Sequence, residues 1–239
     1  MREACRISAG ALKIAGAAVE PGVTTAELDE IAEKYILSQG AVPNFKHYEG
    51  YPATACISVN NEVIHGIPSK KRKLEAGDIV SIDLGAKFDG YHGDNAATFA
   101  CGDVSEQAKR LMSVTKESLS IGISAALAGG RIGDISHAIQ CFVEANGFSV
   151  VREFVGHGIG TALHEAPEVP NFGTAGHGIR LLPGMTLAIE PMVNAGHYGV
   201  KVLPDGWTVL TRDGSLSAHF EHTVVITPSG PQIMTVADF

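Results

Sequence analysis

Basic residues are few in this chain. Eighteen Lys and Arg stand against 26 Asp and Glu, a formal net charge of −8. Gripping a phosphate backbone needs a concentrated basic surface, so specific nucleic-acid binding is not expected. The one basic run, residues 70–73 (Lys-Lys-Arg-Lys), meets a turn at once and is read as a solvated loop. Cysteine is also sparse. Cys5, Cys56, Cys101 and Cys141 lie far apart and never form a C-x-x-C pair, which excludes a disulfide framework and a zinc finger. Long apolar runs are missing. The longest weakly polar stretch, residues 121–132, is interrupted by glycines and is too short to span a bilayer. Near the N-terminus, Arg2, Glu3 and Arg6 sit among small residues without the apolar core of a signal peptide. A reducing cytoplasm is the expected setting, with no membrane association.

What remains is an ordinary globular composition, 45% apolar and 18% charged over 239 residues. Apolar spacing predicts helices over residues 3–19, from Thr24 to Gly40, and over 105–128 and 134–146. Thr24 with Glu27 has the spacing of a capping box. Short apolar or alternating runs at 56–59, 79–82, 96–99, 186–189, 207–210 and 223–226 predict strands. Residues 22–40 and 130–147 both open on Gly, start a helix with an acidic residue and close on Gly, a weak repeat with a period near about 108 residues. No Pro/Gly/Ser-rich linker divides the halves. The expectation is one α+β domain over 1–239, with central sheets covered by helices.

Carboxylates inside apolar strands need a reason. Asp83 and Asp94 flank Asp89-Gly90, a hairpin signal. With the turn centred there, Asp83 faces Ala96 and Asp94 lies diagonally on the same face. With the turn one residue earlier, the two Asp are directly opposed. Either register puts their Cβ atoms roughly 5–8 Å apart, unfavourable without a cation between them. His157 lies in the glycine-rich run Gly156-His157-Gly158-Ile159-Gly160, followed by Leu163-His164-Glu165. Glu190 ends one apolar strand and Glu221 opens another. Four carboxylates and one imidazole balance two divalent cations, with Mn, Fe, Co or Zn suited to such donors. Two cations roughly 3.5 Å apart can hold and activate a hydroxide near neutral pH.

These residues and their flanks carry a close resemblance, over essentially the whole chain, to type I methionine aminopeptidases. The resemblance implies the pseudo-two-fold pita-bread fold and a dinuclear metal site. Asp94 and Glu221 would bridge both metals, Asp83 would chelate one, and His157 and Glu190 would hold the other. It implies that Glu190 also moves the proton, that His164 stabilises the oxyanion, and that His65, in the run Asn60 to Pro68, contacts the scissile amide or the second residue. It places Tyr48, Tyr51, Cys56, Leu163 and Trp207 around the methionine side chain, with Phe45 nearby. The implied activity is removal of methionine from the N-termini of nascent polypeptides when the second residue is small and uncharged, by a monomeric enzyme in a ribosome-proximal setting. A proline-specific aminopeptidase or dipeptidase of the same fold is the alternative. It is disfavoured because those enzymes usually carry a separate N-terminal domain, whereas one short helix precedes the shared fold here. The other histidines, His47, His92, His137, His177, His197, His219 and His222, are read as structural or solvated, with the alternative for His219 and His222, which flank Glu221, that they support this ligand from behind.

Overall fold

A computed structural model describes residues 1–237. Helices α1 (Arg2–Ala17) and α2 (Thr25–Ser38) come first. Strands β1 (Val42–Pro43), β2 (Ala55–Val59), β3 (Glu62–Ile64), β4 (Ile79–Phe88) and β5 (Tyr91–Ala100) follow. Helices α3 (Glu106–Ala125) and α4 (Ile132–Ala145) open the second half. Next come β6 (Ser149–Val150), β7 (Gly156–Gly158), β8 (Glu165–Val169), β9 (Thr186–Ile189) and β10 (Met192–Asn194). The last strands are β11 (Val200–Val202), β12 (Val209–Thr211), β13 (Ser217–His219), β14 (Glu221–Thr227) and β15 (Gly230–Ile233).

The expected capping box forms at α2. Thr24 Oγ1 accepts from Glu27 N at 3.2 Å, and Glu27 Oε2 accepts from Thr24 N at 2.7 Å. At α4, the repeat's second copy, Asp134 likewise accepts from Arg131 N. One expected strand is shifted. The apolar pattern predicts an extended run over residues 207–210, but the strand starts at Val209. Asp205 accepts from the backbone N–H of both Trp207 and Thr208, and this turn takes Trp207 out of the ladder.

The main sheet runs β1-β4-β5-β14-β9-β7-β8, with β2 beside β4 and β15 beside β14, all pairs antiparallel. Side chains alternate between its faces. Along β4, Val80, Ile82, Leu84 and Ala86 join Ile7, Leu12, Leu28 and Ile36 in a core under α1 and α2. A second core gathers Leu111, Leu119, Ile135 and Ile139 of α3 and α4 against Leu187, Val193 and Val224. Both helix pairs cover the sheet, and the odd positions of β4 are left to the opposite face.

Helix α1 presses closely on β5. A Cβ built on Gly93 would lie 2.6 Å from the Cα and N of Cys5. The obstacle is helix backbone, so Gly93→Ala is expected to destabilise by about 1–3 kcal/mol. A urea midpoint equal to that of the unsubstituted protein would show that α1 does not rest there.

Candidate metal and active site

The β4–β5 hairpin sets the first two carboxylates. Asp89 (φ 49°) and Gly90 (φ 79°) both take left-handed backbone, the twist that a two-residue hairpin turn needs. Phe88 therefore pairs with Tyr91, Asp83 with Ala96, and Asp94 with Gly85. Of the two registers open from the sequence, the first holds, and the Asp pair is diagonal on one face. Across the next strand Glu221 also pairs with Ala96, so Asp83, Ala96 and Glu221 form a row with a methyl in the middle. Cys56 extends the row on the far side of Asp83. Beyond Ala96 the hydroxyl of Thr223 replaces ladder bonds, accepting from Asp94 N at 3.1 Å and donating to Asp94 O at 2.8 Å.

His157 occupies the centre of β7, flanked by glycines for a physical reason. A Cβ at Gly156 would fall 2.3 Å from Ala188 O, and one at Gly158 2.4 Å from Ala166 O. Only bare backbone fits between these neighbours. His157 Nδ1 lies 2.8 Å from Gly158 O. A carbonyl only accepts, so Nδ1 carries the proton and Nε2 presents its lone pair. Glu190 follows β9, with Oε1 3.7 Å from His157 Nε2 and Oε2 3.6 Å from His219 Nε2.

Burial pushes the carboxyls of Asp83, Glu190 and Glu221 well above the usual range, and the negative charge of neighbouring carboxylates adds to it. Asp94 is raised mainly by burial. One oxygen each of Asp83, Asp94 and Glu221 is buried without a hydrogen-bond partner. Burial and the neighbouring His164 lower His157 to about 4, which keeps it neutral and able to ligate. Asp94, His157 and Glu221 each offer a donor atom, all within 4.8 Å of one another. Unpartnered carboxylate oxygens beside a neutral imidazole lone pair fit a divalent cation.

A cavity of about 210 Å³ opens onto these groups. Its lining includes every site residue expected from the sequence: Asp83, Asp94, His157, Glu190 and Glu221, then His65, His164, Tyr48, Tyr51, Cys56, Leu163 and Trp207, with Phe45. His164 Nδ1 is 2.8 Å from Tyr48 Oη, and its ring centroid is 4.3 Å from that of His157. His65 takes left-handed backbone (φ 58°), a strained state for a residue with a side chain. Its ring stands edge-on to Phe154 and Trp207, with centroids 5.8 and 6.1 Å away. Tyr51 donates to Ala55 O and Gly66 O and meets Trp207 in a T-shaped contact.

Glu49, Ile64, Phe154 and Val155 also line the cavity and were not picked out from the sequence. Phe154-Val155 directly precede Gly156, and that adjacency was the one available signal. His92 pairs with Asn44 and His222 with Thr235, as expected of structural histidines. His219 is the exception, buried at 1% exposure with neither ring nitrogen bonded.

The sequence profile of metallopeptidase family M24 matches residues 1–228. The chain belongs to that family. A methionine aminopeptidase of Clostridium perfringens is 56% identical over 236 residues, covering 99% of this chain and 94% of that protein. The crystal structure of methionine aminopeptidase from Thermotoga maritima superposes with a TM-score of 0.97 at 46% identity, covering 98% of this chain and 94% of that one. Prolidase from Pyrococcus furiosus superposes at 0.78 with 23% identity over 100% of this chain and 63% of its own, a likeness of fold alone. The architecture is the α+β pita-bread fold. Divalent metal use accords with both the family and the donor cluster.

Proposed function

We propose that the protein removes N-terminal methionine from nascent polypeptides whose second residue is small and uncharged, with residues 1–239 acting as one catalytic domain. The observation that carries this reading is the buried donor cluster at the end of a cavity walled by apolar side chains. Asp83, Asp94, His157, Glu190 and Glu221 would hold two divalent cations, with Mn, Fe, Co or Zn all compatible with the donors. When bound, the cations supply a nucleophile from water near neutral pH and polarise the scissile carbonyl.

The protein's own groups do the rest. Glu190 takes the proton of the attacking water and returns it to the leaving amine. Tyr48 Oη lies 2.8 Å from His164 Nδ1, and in the tautomer that serves catalysis the hydroxyl donates to Nδ1, leaving the imidazole proton on Nε2 as the donor for the developing oxyanion. His65, between Phe154 and Trp207, contacts the scissile amide. The methionine thioether packs against Tyr51, Cys56, Leu163 and Trp207. The Cys56 thiol stays protonated because burial raises it. Among the described residues no helix is long and apolar enough to cross a membrane.

The relatives at 45–56% identity are named methionine aminopeptidases, which favours this reading over the proline-specific one. The test compares kcat/KM for Met-Ala-Ser, Met-Lys-Ser and N-acetyl-Met-Ala-Ser. A bulky second residue displaces the scissile carbonyl, and about 1 Å costs about 10²-fold. The first peptide is therefore expected to exceed the other two by at least that factor. Comparable values across the three, or turnover of Ala-Pro in their place, would overturn the assignment.

A further inference from the structure

We infer that His219 is a positioning residue for Glu190: its Nε2–H holds one carboxylate oxygen and so directs the other toward the cations and the scissile bond. This rests on the reading of Glu190 as ligand and proton carrier. A buried imidazole with both nitrogens unbonded is a rare and costly arrangement that calls for an explanation. The ring cannot turn to water, because the residue is 1% exposed. Its backbone is clamped, with His219 N donating to Thr98 Oγ1 and that hydroxyl donating to His219 O, both at 2.9 Å. Strand pairing of His219 with Met192 ties it to the segment that carries Glu190.

Glu190 Oε2 lies 3.6 Å from His219 Nε2. That is a few tenths of an ångström beyond hydrogen-bond length, and such bonds are often long before substrate enters. An ionised carboxylate only accepts, so the proton belongs on Nε2, as it would also in the charged ring. Glu190 thus stands between two imidazoles in opposite roles. His157 turns its Nε2 lone pair to the side that Glu190 Oε1 faces, as a co-ligand would, and His219 offers Glu190 Oε2 an N–H. Partners that orient a ligating side chain in this way set both the affinity of the metal and the competence of the ligand.

The experiment uses length as the discriminator. A Gln side chain places its amide nitrogen where His Nε2 sits, whereas the Asn amide stops where Nδ1 sits. His219→Gln, His219→Asn and His219→Leu are purified, reconstituted with Mn(II), and compared for kcat and KM on Met-Ala-Ser and for Mn(II) affinity by calorimetry. His219→Gln is expected to stay within about threefold of the unsubstituted enzyme, while Asn and Leu lose about 10–100-fold in kcat or Mn(II) affinity with little change in KM. Metal-free melting of the Gln and Asn variants should be alike, which separates positioning from folding. Asn performing as well as Gln, or Gln as poorly as Leu, overturns the inference. Glu190→Gln is measured alongside. If it keeps full kcat and Mn(II) affinity, the reading of the site itself fails. If it loses them while His219→Asn does not, only the role of His219 fails.

Discussion

Stripping the protein of divalent cations with a strong chelator is expected to abolish peptide hydrolysis, and Mn(II), Co(II) or Fe(II) is expected to restore it. Asp83, Asp94 and Glu221 come from β4, β5 and β14, Glu190 from the residue after β9, and they meet in a buried space with three of their oxygens unbonded. Without cations these groups repel or take up protons. The same binding should stabilise the fold. At a metal concentration about 100 times the dissociation constant the gain is about 2.7 kcal/mol, or roughly 5–11 °C for a chain of this size. The sign with pH follows from the carboxyls being raised in the folded, metal-free state. Above the unfolded value of about 4 the native state holds more protons than the unfolded chain, so the chelated protein loses stability as pH rises. The stabilisation by metal grows over the same range, because ligation requires the deprotonated forms. Thermal melts with and without Mn(II) across pH measure both slopes. Full activity in the chelated enzyme would end the proposed mechanism.

The second large effect separates two adjacent histidines. His157 and His164 have ring centroids 4.3 Å apart, yet their bonded nitrogens assign them different work. His157 spends Nδ1–H on Gly158 O and keeps Nε2 for ligation, so His157→Ala should lose metal first and activity with it. His164 is held at Nδ1 by Tyr48, and His164→Ala should lower kcat by about 10²-fold or more, the usual loss for one oxyanion donor. Its metal content should match that of the unsubstituted enzyme. Metal analysis beside steady-state kinetics decides the matter. Loss of metal from His164→Ala would mean the two roles have been exchanged.

Much of the site was legible because its chemistry is written in local sequence. Carboxylates in apolar strands and glycines around one histidine stand out against ordinary strand composition, whereas His65 and the aromatics that line the same cavity were marked only by the family resemblance. The hairpin was legible as a turn but not as a register. The alternatives differed by one residue, and the left-handed backbone of Asp89 and Gly90 chose between them. Other features depend on contacts distant in sequence. Gly93 is glycine because α1 crosses it, and nothing in the hairpin announces the helix. The sequence sets His219 beside Glu221 but not beside Glu190, since its isolation and that neighbour arise only when β13 pairs with β10. Trp207 read as strand because β propensity is weak against an Asp205 side chain that captures the backbone ahead of it.

The most direct test of a two-cation site is anomalous diffraction from crystals grown with Mn(II). Two peaks are expected, both contacted by carboxylates of Asp83, Asp94, Glu190 and Glu221, with His157 Nε2 on one of them. A single peak, or peaks away from these five side chains, would contradict it.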